Sequence, residues 1–387
     1  MESEPKILTR EEVLAGAPKG QLPRGAVVRE ADLSGADLPG AGLAGLSFQG
    51  VSLAGARLQG ADLSGCRFEE ADLAGADLTG AKLEGAFFAP SVALRGCRMD
   101  RVEGKGLKAP SVSFPECTLA GAVLAGADLK GAEIAKSKLE KADLSGACLD
   151  QATIEETDLS GAVLRGATLQ GASLVRCRLD GSDLSGASLA GAAFPKTGLD
   201  GAILAGACLS RCNLSGAALK GKDLAGCDLT YSDFSRADLE EARIGKAKVQ
   251  GANFSGARLQ RADFREAQGK APNFAGADLR QADFRGAVLP MACFEQADLR
   301  LANLGGADLQ RGRMGRMKAQ GARFDGANLS FANLSWADIQ GASMAKAILV
   351  QGNLHAVLDR DAVWSGANLK DVKKTDSALL DAETWKP

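Results

Sequence analysis

The sequence predicts an all-β repeat protein whose chain turns a corner every five residues. A unit of Ala, a polar residue, Leu, a small residue and Gly recurs along most of the 387 residues, as in ADLSGADLPG at 31–40. Its period of five fits neither the 3.6-residue turn of a helix nor the two-residue alternation of a flat strand. Phenylalanine also recurs at twenty-residue intervals, as at Phe48, Phe68 and Phe88.

Each unit has a centre, usually Leu, which we expect to point into the core. The residue two before it, usually Ala, is the inner position, and the residue two after it, usually Gly, is the corner. Centres lie five apart from Leu33 to Phe88, and Leu94 follows after six, so one residue is inserted at 89–94. From there the phase continues to Leu369. Five later centres are small or polar: Gly104, Ala109, Gly269, Ala319 and Asp359.

This pattern resembles that of the pentapeptide-repeat family, A-(D/N)-L-x-G, over residues 28–370. The resemblance implies a right-handed quadrilateral parallel β-helix with four pentapeptides in each twenty-residue coil, or about seventeen coils here. The phenylalanines agree, because two sets lie ten residues apart in a twenty-residue period and so belong on opposite walls. One set is Phe114, Phe194, Phe234, Phe254, Phe274 and Phe294, and the other is Phe264, Phe284 and Phe324.

Both ends of the repeat are expected to carry caps. In residues 1–27, Thr9 and Glu12 have the spacing of a capping box that begins a short helix. Residues 371–387 are expected to form a C-terminal cap, with a helix at 375–385 that turns Leu379, Leu380 and Trp385 inward; a frayed tail is the alternative. The irregular segment 100–113 predicts an outward bulge, either a kink or a binding loop.

Composition excludes several classes of function. With 46 basic and 48 acidic residues the net charge is −2, so no global field selects nucleic acid or a membrane surface. No apolar run is long enough to cross a bilayer. The first residues lack a signal-peptide pattern, so we expect a cytoplasmic protein, with export by a specialised system left open.

Nothing in the repeat assembles catalytic chemistry, so we expect no enzyme, cofactor, metal or small-molecule substrate. His355 is the only histidine and cannot build a multi-histidine zinc site, so a local hydrogen bond is its expected role. The aspartates should be solvated or bonded to turns. Six cysteines at inner positions should be buried, namely Cys66, Cys97, Cys117, Cys177, Cys212 and Cys227, whereas Cys148, Cys208 and Cys293 point outward.

Large residues at corner positions are the strongest surface signal. Trp, Tyr and Arg dominate the energetics of protein interfaces, and clustered exposed apolar residues mark contact sites. We therefore predict a partner-binding face in the C-terminal third. The alternative is that the same residues cover an inserted loop or the C-terminal cap. The residues of the predicted face are Tyr231, Met291, Leu301, Arg311, Arg313, Arg316, Lys318, Phe331 and Trp336.

The favoured function is a non-enzymatic interaction module or scaffold that binds a protein partner, with direct nucleic-acid binding not expected. One alternative implied by the resemblance is a DNA-mimicking protein that binds type II topoisomerases, as quinolone-resistance relatives do. A net charge of −2 and a basic C-terminal third argue against it. A secretion-system effector or accessory protein is a further alternative. The resemblance implies end-to-end dimers, so two expectations stand for the C-terminal end: the cap at 375–385 closes a monomer, or it joins two copies as a homodimer.

Overall fold

The structure, a computed structural model, describes residues 4–384, apart from the side chains of Leu379, Asp381 and Ala382. The chain divides into two compact units, Met1–Ile203 and Leu204–Pro387. Each unit is built from the same repeat, in which the chain returns to the same wall after four pentapeptides. The two units are described in turn.

The first unit begins with β1 (Ile7–Leu8), helix α1 (Arg10–Gly16) and a 3-10 turn (Ala17–Lys19). The capping box is present, because Glu12 N donates to Thr9 Oγ1 at 3.2 Å and Thr9 N donates to Glu12 Oε2 at 2.9 Å. Val13 of the helix and Ala17 of the turn are fully buried. The helix therefore covers the apolar interior at the N-terminal end of the repeat.

The parallel strands of this unit form two sheets, one after the other along the chain. The first sheet runs β1, β2 (Val27–Arg29), β3 (Ser47–Gln49), β4 (Arg67–Glu69) and β5 (Phe87–Phe88). The second runs β6 (Ser113–Pro115), β7 (Glu133–Ala135), β8 (Thr153–Glu155) and β9 (Ser173–Val175). Neighbouring strands pair twenty residues apart, as Phe48 does with Phe68. The step becomes 21 at Asp72 and Ala93, which confirms the insertion.

The second unit pairs mostly through single-residue parallel bridges with the same step of twenty. They run from Cys208 and Asp228 to Asn353 and Lys373. Corners are closed by a hydrogen bond from the next inner residue to the preceding centre, as from Ala237 N to Phe234 O at 3.1 Å. This register in both units confirms the predicted quadrilateral parallel β-helix.

Phenylalanine stacks fill the core of the second unit. Phe254 and Phe274 are stacked on one wall, with centroids 5.1 Å apart and planes at 6°. Phe284 comes from the opposite wall and meets Phe274 edge to face at 5.6 Å and 87°. Offset and edge-to-face pairs add to the energy of apolar burial. The two predicted phases of phenylalanine therefore meet in the middle of the coil.

The predicted bulge at 100–113 is wrong. Glu103 bridges both Lys82 and Val123, so this segment stays in the regular ladder. Instead, the large and the small inward residue change places within each pentapeptide. Val102 and Leu107 fill inner positions, where Ala is usual, and the centres that follow them are the small residues Gly104 and Ala109. Val102 and Leu107 are fully buried. Because each pair still contributes one large side chain to the core, no change of path is needed.

Helix α2 (Ser377–Thr384) follows the last coil. It contacts the side of the β-helix through Trp336 and His355, as described below. Among the described residues Leu369, the last centre, remains 38% exposed. Leu380 is half-buried, whereas the predicted inward positions of the Leu379 side chain and of Trp385 lie outside the described residues.

Candidate interaction surface

The large corner residues adopt a left-handed backbone, which is why glycine is usual there. The φ angles of Phe331 and Trp336 are 61° and 62°, and those of Met291, Arg311 and Arg316 are 63°, 58° and 56°. A non-glycine residue in this region costs about 1–2 kcal/mol. The same backbone occurs at corners with polar residues, such as Glu266 and Gln281, so these five corners are distinguished by the size and grouping of their side chains.

The twenty-residue register decides which of these side chains are neighbours. Met291, Arg311 and Phe331 follow one another along one corner, and Arg316 and Trp336 follow one another along the next. Arg313 lies on the wall between the two corners. We call these six residues the patch: Met291, Arg311, Arg313, Arg316, Phe331 and Trp336.

Three of the nine predicted residues do not join the patch. Leu301 lies on a third corner, diagonally opposite that of Phe331, so it faces another direction. Lys318 is on the wall that leads towards Leu301. Tyr231 shares the corner of Met291 but lies three coils away, or about 14 Å at the usual strand spacing. Its ring covers Gly251, and its hydroxyl accepts a hydrogen bond from Gln250 at 2.9 Å.

The patch combines exposed apolar surface with positive charge. Met291 is 41% exposed and Phe331 46%. The Arg311 guanidinium lies 5.3 Å from the centroid of the Phe331 ring, a cation–π distance. Arg313 pairs with Glu295 at 2.8 Å, and this hydrogen bond raises the pKa of the guanidinium. Arg316 forms no ion pair within residues 4–384, so its charge is open to a partner.

Trp336 connects the patch to helix α2. Its Nε1 donates to Glu383 Oε2 at 3.2 Å, and His355 Nε2 lies 3.1 Å from the same oxygen. His355 is buried, and its Nδ1 accepts a hydrogen bond from Asp376 N at 3.3 Å. The hydrogen-bonding role predicted for His355 is confirmed, but the partners of its ring lie 21 and 28 residues away and not in the adjoining stretch. Its acidic partner was missed, because 28 residues of chain separate them and no spacing rule joins a wall residue to a terminal helix.

A groove of about 690 Å³ lies on another wall of the second unit. Four arginines line it, but each is already paired with a carboxylate. Arg280 binds Asp278 at 2.7 Å, and Arg300 binds Asp298 at 2.6 Å. Arg258 and Arg261 both reach Glu240, at 3.3 and 2.6 Å. The groove is therefore close to electrically neutral, unlike the patch.

The aspartates of the repeat act within their own turns, as predicted. Asp143 Oδ1, for example, accepts the N–H of Ser145 at 2.9 Å. The described part of the chain contains no cluster of three metal-binding side chains. Nor does any helix within residues 4–384 have the length and apolar character that a membrane crossing requires.

Three solved structures are similar to this chain in part. HetL from the cyanobacterium Nostoc sp. strain PCC 7120, a pentapeptide repeat protein involved in heterocyst differentiation regulation, is 26% identical over 64% of this chain and 86% of its own, with a TM-score of 0.25. QnrB1, a plasmid-mediated fluoroquinolone resistance protein, is 20% identical over 58% of this chain and 92% of its own, with a TM-score of 0.32. A pentapeptide repeat protein of the Arabidopsis thaliana thylakoid lumen is 30% identical over 30% and 69%, with a TM-score of 0.16.

Comparison with curated proteins gives no significant match. The family model for pentapeptide repeats, in contrast, matches segments along most of the chain. They are residues 24–53, 52–88, 113–151, 147–186, 182–221, 207–245, 240–268, 247–286, 270–300, 277–316, 313–344 and 320–355. Together with the twenty-residue register of both units, this match shows that the chain belongs to the pentapeptide repeat family.

Proposed function

We propose that this chain is a non-enzymatic interaction module whose patch binds a protein partner. The observation that carries the proposal is the grouping of large side chains on two neighbouring corners: Phe331 is 46% exposed with the Arg311 guanidinium 5.3 Å from its ring, and Arg316 and Trp336 follow one another on the next corner. Phe331 and Trp336 hold left-handed backbone, so glycine can close the same turns without strain. Aromatic and arginine side chains are the residue types that anchor interfaces.

The charge of the patch favours an acidic partner. Arg311, Arg313 and Arg316 contribute three positive charges, and Glu295 neutralises only one of them. Complementary charge speeds association and selects among partners. This positive field also disfavours the DNA-mimic alternative, which requires negative charge where the partner docks.

The proposal is tested by capture with glycine substitutions at the four corner residues of the patch that carry charge or a ring. Glycine removes the side chain and suits the left-handed backbone, so the variant should remain folded. The full-length wild type and the variant are immobilised, and the proteins that each retains from a lysate of the source organism are identified. The variant carries Arg311→Gly, Arg316→Gly, Phe331→Gly and Trp336→Gly.

A matched control carries four glycine substitutions at left-handed corners of the first unit. It removes three positive charges, one more than the patch variant, from left-handed corners outside the patch. We expect a protein retained by the wild type and the control to be lost from the patch variant. Equal retention by all three would contradict the proposal. The control carries Lys136→Gly, Lys141→Gly, Gln151→Gly and Lys196→Gly, whose φ angles are 54°, 58°, 59° and 56°.

We also propose that the C-terminal end of the second unit joins two copies of the chain. Two features support this: Leu369 remains 38% exposed at the last coil, and the backbone edge of that coil has no further coil to pair with among the described residues. An exposed edge with apolar centres favours pairing with an equivalent edge.

A further inference from the structure

We infer that Trp336 and His355 form a receptor for a carboxylate, which the chain's own Glu383 occupies, and that an acidic segment of the partner competes with helix α2 for it. The inference rests on the proposed function, because it names the chemistry of the partner at the same surface. It is carried by the contacts that α2 makes.

Two N–H groups converge on a single oxygen atom. Trp336 Nε1 and His355 Nε2 lie 3.2 and 3.1 Å from Glu383 Oε2. Since His355 Nδ1 accepts the N–H of Asp376, the proton of the neutral ring is on Nε2, which then donates to the carboxylate. Indole nitrogen can only donate. The pair therefore suits an acceptor with negative charge.

The coil fixes the backbone positions of both donors. Trp336 N donates to His355 O at 2.9 Å, so the two residues occupy successive coils of the ladder. His355 N donates to Asn353 Oδ1 at 3.0 Å, and the two rings meet edge to face at 6.0 Å. The receptor is thus pre-organised, which lowers the entropic cost of binding a carboxylate from any source.

Helix α2, in contrast, is short. Its described contacts with the coil include those of Glu383 and of the segment that leads into it, where Thr375 Oγ1 accepts from Ala356 N at 3.2 Å and Asp376 N donates to His355. A helix of eight residues has little stability of its own in water. We therefore expect α2 to be displaced without unfolding of the coil.

A partner carboxylate can also gain a contact that Glu383 does not make. Arg316 lies one coil before Trp336 on the same corner and forms no ion pair within the described residues. Beside it, the missing side chain of Gly315 leaves a depression of about 250 Å³, bordered by Glu295, Asn333 and Ser335. An acidic segment that crosses this depression would meet Arg316 as well as the two N–H donors, which gives it an advantage over the tail.

The test uses a fluorescein-labelled peptide that copies residues 373–384 as the acidic probe. Its affinity is measured by fluorescence anisotropy for the full-length wild type, Glu383→Gln and Asp371→Asn. Asp371 is an exposed acidic residue of the last coil and provides the matched loss of charge. We expect Glu383→Gln to bind the peptide about tenfold more tightly than wild type, since the internal competitor is weakened, and Asp371→Asn to bind like wild type.

Two further measurements identify the atoms involved. A peptide with Gln at the position of Glu383 should bind Glu383→Gln about tenfold more weakly than the acidic peptide. In nitrogen-labelled protein, the indole signal that is absent from Trp336→Phe should shift in Glu383→Gln. The inference is overturned if the peptide binds neither protein, if both proteins bind it equally, or if the Gln peptide binds as well as the acidic one.

These outcomes separate the inference from the proposed function. If the patch variant loses the partner but Glu383→Gln does not bind the peptide more tightly than wild type, the interaction surface is supported and the carboxylate receptor is rejected. If Glu383→Gln binds the peptide more tightly but the patch variant still captures the partner, the receptor for Glu383 is supported and the patch is rejected as the partner site.

Discussion

The Ser137 hydroxyl donates a hydrogen bond to Phe114 O, in the coil before it, at 2.7 Å. It thereby bridges a corner that lacks the usual backbone hydrogen bond. Cys117 N, which would close that corner by bonding to Phe114 O, donates to Ser137 Oγ instead at 3.0 Å. Thr197 bridges the corner between Leu174 and Cys177 in the same way: its hydroxyl donates to Leu174 O at 2.8 Å and accepts from Cys177 N at 3.0 Å. A hydroxyl at an inner position is therefore part of the backbone hydrogen bonding at these corners.

Replacing Ser137 with the consensus alanine should destabilise the protein. Ser137→Ala leaves the buried N–H of Cys117 without its partner, which costs about 1–3 kcal/mol. The measurement is the free energy of unfolding in urea. Ser232→Ala is the matched control, because Leu209 O still accepts from Cys212 N at 3.2 Å after the hydroxyl is lost. We expect its cost to be about 1 kcal/mol or less, and equal costs would contradict the bridging role.

The protein should tolerate an exchange of Leu107 and Ala109, but not the loss of the large side chain at Leu107. Leu107→Ala removes the only large side chain that its unit contributes to the core, with an expected cost of about 2–5 kcal/mol in free energy of unfolding. Leu107→Ala combined with Ala109→Leu restores the usual order and should come within about 1.5 kcal/mol of wild type. If the double variant were no more stable than Leu107→Ala, volume exchange would not explain the regular path of this segment.

The nine cysteines should separate into two classes of reactivity. Burial raises the pKa of the Cys66 thiol to about 12 and the pKa values of Cys117 and Cys227 to about 11. The thiolate is the reactive form, so buried thiols should not react at pH 8. Titration of the native protein with a thiol reagent should modify only Cys148, Cys208 and Cys293, which are half-buried, and unfolding should release the other six. Fast modification of Cys97 in the native protein would contradict this.

Stability should fall in acid as the aspartates of the repeat are protonated. At Asp263 the side-chain hydrogen bond from Arg265 outweighs partial burial and lowers the pKa of the carboxyl. A lowered pKa in the folded state adds stability that is fully present above the unfolded pKa of about 3.9 and is lost as the pH falls through the folded pKa. Asp263→Asn should therefore flatten the decline in unfolding free energy between about pH 4 and pH 2. Parallel curves for the two proteins would refute this assignment.

A charge at the exposed end should break the proposed homodimer. Leu369→Lys places like charges opposite each other across a two-fold contact, which disfavours association. Light scattering after size exclusion should give the mass of two chains for wild type and of one chain for the variant. Leu358→Lys, a comparably exposed leucine that points outward on the last coil, is the control. A monomeric wild type at micromolar concentration would reject the dimer.

The spacing of phenylalanine illustrates how much of the fold could be read in advance. Phe254 and Phe274 are twenty residues apart and stack, while Phe264 and Phe284 are offset by ten and come from the opposite wall. A repeat makes such inferences possible because neighbours in space are neighbours at a fixed distance along the chain. The same rule placed Arg316 beside Trp336, whereas the inclusion of Leu301 in the predicted face overlooked that it is thirty residues, or one and a half coils, from Phe331.

The sequence by itself determined the coil, its register, the inserted residue, and which side chains face inward, since all of these follow from a strict period. The tertiary structure alone decided how the departures from the period are accommodated. Segment 100–113 stays in the ladder because Val102 and Leu107 replace the volume missing at Gly104 and Ala109. Glu383 meets Trp336 and His355 because a terminal helix folds back on the wall, and no periodicity constrains where a helix outside the repeat packs.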